Sequence, residues 1–129
     1  MHIEHIAIWT KQLENLKDFY VKYFKATSNE KYNNNKKGFS SYFLSFEDGC
    51  RIEIMEKATI PLSTNNVYDE FTGLIHFAIS VGSEKMVDSM TEIFRADGFE
   101  IVSEPRTTGD GYYESVILDP DKNRIEIVA

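Results

Sequence analysis

The chain has a single cysteine, Cys50, which excludes any disulfide within it and gives no reason to invoke an oxidising compartment. Basic residues are also scarce. Fourteen Lys and Arg stand against 21 Asp and Glu, a net charge of −7 with no local concentration of positive charge, which disfavours nucleic acid and anionic membrane surfaces as partners. No apolar run approaches the roughly 18 residues of a membrane span. Met1 leads directly into strand-like sequence, without the basic and apolar regions of a signal peptide, so a cytoplasmic location is expected. What is present is ordinary for a globular protein: 129 residues, 42% hydrophobic and 13% aromatic, enough for the core of one domain and too few for two independent ones.

One pattern stands out, because it occurs twice. Ile3-Glu4-His5-Ile6-Ala7-Ile8 is echoed by Leu74-Ile75-His76-Phe77-Ala78-Ile79, and an offset of 71 positions lays His5 on His76, Ala7 on Ala78 and Ile8 on Ile79. The same offset places Leu16 on Val87, Phe19 on Met90, Tyr23 on Phe94, Tyr42 on Tyr113 and Asp48 on Asp119. A longer second turn then moves the offset to 73, setting Arg51-Ile52-Glu53-Ile54 on Arg124-Ile125-Glu126-Ile127. Self-similarity at half the chain length reports two copies of one module.

Periodicity supplies the module's elements. Residues 2–9 read as a strand, and Leu13, Leu16, Phe19, Tyr20, Tyr23 and Phe24 recur at helical spacing, predicting a helix over about 12–25. A short strand near 27–32, a polar turn at 33–38 and strands over 39–46 and 50–55 around Asp48-Gly49 complete the first copy. The second repeats the order: a strand over 74–81, a helix capped by Ser83 and ended by Gly98, then strands over 99–103, 112–118 and 124–128. Module 1 is therefore placed at about 1–57, a connector at about 58–72 and module 2 at about 73–129. The segment from Pro105 to Tyr113 has the glycines of a movable lid, or of an ordinary connection.

Alternation along the strands then sorts the side chains by face. Ile6, Ile8, Ile52, Ile54, Ile125 and Ile127 fall on the face available to the helices. His5, Glu53, His76 and Glu126 fall on the other, together with Ala7, Trp9, Arg51, Met55, Ala78 and Arg124. A solvated sheet face accommodates any one of these polar residues without special meaning. Two histidines and two glutamates at repeat-equivalent positions supply imidazole and carboxylate donors that suit a borderline divalent metal and leave positions open for water or substrate. Trp9 and the two alanines suit a substrate-holding surface better than a solvated one. Cys50, beside a tight turn without a matching histidine, has little support as a nucleophile, and His2 is read as a surface residue.

These residues carry a resemblance over essentially the whole chain. Glu4-His5-Ile6-Ala7-Ile8, Leu16-Lys17-Asp18-Phe19-Tyr20, Arg51-Ile52-Glu53-Ile54, Ile75-His76-Phe77-Ala78-Ile79 and Asp119-Pro120-Asp121-Lys122-Asn123-Arg124-Ile125-Glu126-Ile127 together resemble the vicinal oxygen chelate superfamily, and within it the glyoxalase I (lactoylglutathione lyase) group. The resemblance implies an α+β fold of two βαβββ modules, the glyoxalase/bleomycin resistance/dihydroxybiphenyl dioxygenase-like fold, whose sheets form a barrel-like cup within a chain or across a homodimer. It implies one divalent metal ion per site, with Zn, Ni and Co all admissible, held by His5, Glu53, His76 and Glu126. The implied reaction isomerises the hemithioacetal of a 2-oxoaldehyde and a low-molecular-weight thiol through a metal-stabilised enediolate, with Glu126 as first choice for the base and Glu53 assisting.

The chain departs from this group at the thiol end. Glyoxalases that grip glutathione carry an arginine four residues after the first histidine and an asparagine four after the first glutamate, where this chain has Trp9 and Lys57. Lys57, Arg51, Arg106 and Arg124 are candidate anion contacts, and Trp9 and Met55 candidate substrate contacts. Fosfomycin-type thiol transferases and CoA-ester epimerases share the implied fold, but the former resemble a site of two histidines and one glutamate, and the latter usually carry glutamine where Glu53 stands. A non-catalytic drug-binding protein of the bleomycin-binding kind would lack the ligands that this chain retains.

Overall fold

In the computed structural model, which describes residues 1–129, the first strand β1 (His5–Thr10) leads into helix α1 (Leu13–Phe24). Two short strands, β2 (Thr27–Ser28) and β3 (Tyr32–Asn34), precede the long pair β4 (Phe39–Ser45) and β5 (Arg51–Glu56). The single short strand expected near 27–32 is thus divided, and Asn33 and Asn34 belong to β3 rather than to the polar turn. The helix ends where Lys25 takes a left-handed conformation at φ 54°, its backbone N–H donating to the Tyr20 carbonyl. The sheet runs β1-β5-β4-β2, with β3 also pairing β4, and the first strand lies parallel to the last.

The second half repeats this plan with β6 (His76–Ser80), α2 (Glu84–Ala96), β7 (Ile101–Thr107), β8 (Tyr113–Leu118) and β9 (Arg124–Val128), in the order β6-β9-β8-β7. Ser83 caps α2 as its sequence predicts, its hydroxyl accepting from the Met86 backbone N–H at 3.3 Å, and Gly98 follows the helix at φ +84°. Strand β7 extends beyond its predicted end at 103, through Pro105 and Arg106. It is the edge strand of its sheet, and its pairing with β8 shifts register between Ile101 and Ser103 and again between Ser103 and Arg106. A proline costs no ladder bond there, which is why the residue that reads as a strand-breaker sits inside a strand. The remaining turn is tied down by Thr108, whose N–H donates to the Tyr112 carbonyl at 2.8 Å and whose carbonyl accepts from Gly111 at 3.0 Å. It is a hydrogen-bonded turn.

The chain clusters into two units, Met1–Ser63 and Thr64–Ala129, each a helix packed on an open sheet. Within the first, Leu13, Leu16, Phe19 and Tyr20 of α1 are buried with Tyr42, Leu44, Ile52 and Ile54. In the second, Val87, Met90 and Phe94 of α2 are buried with Ile117, Ile125 and Ile127. One polar contact joins that second core: Thr91 and Ser115 hydroxyls meet at 2.7 Å, satisfying each other out of reach of water. A tyrosine braces each helix, Tyr42 donating to Glu14 at 3.0 Å and Tyr113 to Asp88 at 2.8 Å. Neither helix is long and apolar enough to cross a membrane.

Candidate metal centre

The parallel pairing of first and last strand sets the candidate ligands side by side. In β1 and β5 the partners are His5 with Arg51 and Ala7 with Glu53; in β6 and β9 they are His76 with Arg124 and Ala78 with Glu126. The two modules share one register, so the two-residue slip in the repeat is absorbed in the turn before the last strand and leaves the site positions aligned. On the sheet face that its own helix leaves uncovered, His5 Nε2 lies 3.8 Å from Glu53 Oε2, and His76 Nε2 lies 3.2 Å from Glu126 Oε2. The glutamate side chains are 17% exposed in both pairs.

Each pair offers one imidazole nitrogen and one carboxylate, a donor set that fits a divalent ion of borderline softness. The other nitrogen of His5, Nδ1, pairs with the Glu4 carboxylate, which Arg51 also contacts. A carboxylate on Nδ1 fixes the ring orientation and leaves the Nε2 lone pair facing Glu53, an outer contact characteristic of metal-binding histidines. The His5 imidazole, helped by Arg51, holds the Glu4 carboxyl below its usual range. Sequence alternation puts Glu4 opposite His5, but Glu4 precedes the first residue of β1 and is free to turn toward the ring. Within neither unit do three or more His, Cys, Asp or Glu side chains gather into a metal-holding group, so each unit presents a pair.

The second pair opens onto a cavity of about 480 Å³ whose lining includes Ala78, Ser80, Thr108, Asp110, Tyr112 and Glu114. Burial pushes the Glu126 carboxyl above the usual carboxylate range; His76 opposes the shift, Glu114 adds to it, and Arg106 and Asp110 make smaller contributions of opposite sign. Glu114 is itself buried and faces Arg106 at 3.3 Å. Its position in Tyr113-Glu114-Ser115-Val116, an acid entering an otherwise buried strand, is the sequence signal that marks it.

The other candidate residues divide by what already engages them. Arg124 donates to the carbonyls of Val67 at 2.6 Å and Asp69 at 3.2 Å, pinning the chain ahead of β6. Arg51 lies 4.2 Å above the Phe43 ring as well as against Glu4, and Arg106 serves Glu114 and the Ser103 hydroxyl. Lys57 lines a polar cavity of about 510 Å³ with Lys11, Asn33, Asn34 and Glu56. Trp9 and Met55 stand side by side in the β1–β5 register. Cys50 is half-buried and His2 exposed.

Two βαβββ modules, each holding a His–Glu pair on the strands that close it, define the vicinal oxygen chelate architecture. The chain belongs to the Glyoxalase/Bleomycin resistance protein/Dioxygenase superfamily, whose profile matches residues 2–127. It is 26% identical over 130 residues to the uncharacterized protein YqjT of Bacillus subtilis (strain 168), covering 98% of each chain. Its fold is similar to that of the glyoxylase/bleomycin resistance protein/dioxygenase domain from Frankia sp. EAN1pec, with a TM-score of 0.82 at 15% identity over 99% of this chain and 96% of that one. It is also similar to the trypanothione-dependent glyoxalase I of Leishmania major, with a TM-score of 0.77 at 20% identity over 99% and 86%.

Proposed function

We propose that the protein is a metal-dependent glyoxalase I-like enzyme that converts the hemithioacetal of a 2-oxoaldehyde and a small thiol into the thioester of a 2-hydroxy acid. The observation that carries this reading is the duplicated pair: imidazole nitrogen and carboxylate oxygen facing each other in identical register in both modules. His5, Glu53, His76 and Glu126 are taken as metal ligands for a divalent ion, zinc, nickel or cobalt, in a cytoplasmic homodimer. When bound, that ion supplies Lewis acidity to two neighbouring substrate oxygens.

The chain's own residues move the proton. The reaction is an isomerisation without net oxidation: one C–H proton leaves the hemithioacetal carbon, another is delivered to the adjacent carbon, and the O–H proton is lost as the thioester carbonyl forms and regained on the neighbouring oxygen. Glu126 is taken as the acceptor and donor, its carboxylate facing His76 at 3.2 Å and opening with it onto the cavity beside β6 and β9. Glu53 assists from the other pair. His76 and His5 keep the carboxylates oriented, and Ala7 and Ala78, beside Glu53 and Glu126 in the register, leave room above the sheet for substrate.

The test is metal analysis of the purified protein, followed by an assay with methylglyoxal and a panel of thiols under Zn, Ni and Co. Glu126→Gln is expected to retain fold and metal while turnover falls by about 10²- to 10⁴-fold. A variant with both metal and full turnover removes Glu126 as the base. A wild-type protein that binds no metal points instead to a small-molecule binding module.

A further inference from the structure

The face that carries His5 and Glu53 does not end at that pair. Along β1 the same side presents His5, Ala7 and Trp9, and along β5 it presents Glu53 and Met55, with Trp9 and Met55 as register partners. Ring contacts continue the row: Trp9 meets Phe39 edge-on at 6.1 Å and 81°, and Phe39 meets Tyr32 at 6.0 Å and 63°. Trp9 is 46% exposed and Tyr32 51%, so the wall is assembled but uncovered within its unit. In the second module the positions matching Trp9 and Met55 hold Ser80 and Val128, so the aromatic wall belongs to the first module alone.

We propose that Trp9 is a specificity-determining residue, and that the substrate carries a planar aromatic ring close to its chelating oxygens, seated over Ala7 against the indole. This rests on the reading of His5 and Glu53 as metal ligands. The spacing sets the size: Trp9 is two residues beyond Ala7, which is level with Glu53, and two residues of strand span about 6.7 Å. A benzene ring attached directly to a chelating group fills that interval; a methyl group does not reach the wall. Ala7 supplies the depth, since a larger side chain would occupy the space between ligand pair and indole.

Trp9 is the only tryptophan in the chain, so its emission reports on this position alone. The probes are acetohydroxamate and benzohydroxamate, which chelate a metal through the same two adjacent oxygens and differ in methyl against phenyl. Titration of zinc-loaded protein by calorimetry, with Trp9 emission followed in parallel, is expected to show benzohydroxamate binding about tenfold more tightly and perturbing the emission. In Trp9→Ala that preference is expected to fall to about one while acetohydroxamate binding is kept; Trp9→Phe should restore much of it. The indole is half-exposed and outside the helix-facing core, so circular dichroism should show both variants folded. Equal affinities in the wild type, or a preference that survives in Trp9→Ala, overturns the aromatic wall and leaves the metal reading standing. If neither hydroxamate binds the zinc-treated protein, the ligand assignment fails and the wall's role fails with it.

Discussion

Two single residues set conditions for the rest. Glu4 is not a candidate ligand, yet its carboxylate holds the ring of His5 through Nδ1. Glu4→Ala is expected to weaken metal binding by about 10- to 100-fold, read by competition with a chromophoric chelator, without altering secondary structure. Glu14 is the second: Lys17 above all, then Lys31 and the Tyr42 hydroxyl, bring its carboxyl down to about 2. A carboxyl whose pKa is lowered by folding stabilises above its unfolded value of about 4.5, and that contribution disappears as pH falls toward 2. The side chain is half exposed, so the gain is under about 1 kcal/mol after solvent screening. Urea midpoints of wild type and Glu14→Gln should therefore differ at pH 7 and converge near pH 2. The shared face of His5 and Glu53, and of His76 and Glu126, was legible in the sequence because strand alternation assigns faces without tertiary knowledge. Glu4 was not, because the rule stops where the strand starts, and Lys31 and Tyr42 reach Glu14 only through the fold.

Among the elements, the turn between β8 and β9 is organised by one buried carboxylate. Asp119 Oδ1 accepts from the backbone N–H groups of Asp121 and Asn123, both at 2.9 Å, and Oδ2 accepts from the Asn123 side chain at 2.8 Å. This arrangement lets Lys122 adopt φ 67° and delivers Arg124 into β9 in the register that places Glu126. Asp119→Ala is expected to cost about 2 kcal/mol in denaturant unfolding and to lower metal affinity through Glu126, an effect that a distant core truncation of equal cost should not share. Helix ends, the paired long strands and the repeat were readable from spacing and caps. The extent of β7 was not, because Pro105 breaks a strand by local rule and is tolerated only at an edge, a position that sheet order alone defines.

For the whole molecule, the duplicated register makes a thermal prediction. If the proposed metal reading holds, saturating zinc should raise the melting temperature by several degrees, and His5→Ala and His76→Ala should each reduce that rise. Each module also joins its first strand to its last, β1 lying along β5 and β6 along β9. That closure has a price in time. During synthesis β1 emerges with Trp9 and His5 but finds its neighbour only after residue 56, so its apolar side waits through most of a module for cover. The seam on which the candidate ligands sit can therefore pair only once the last strand of each module is available.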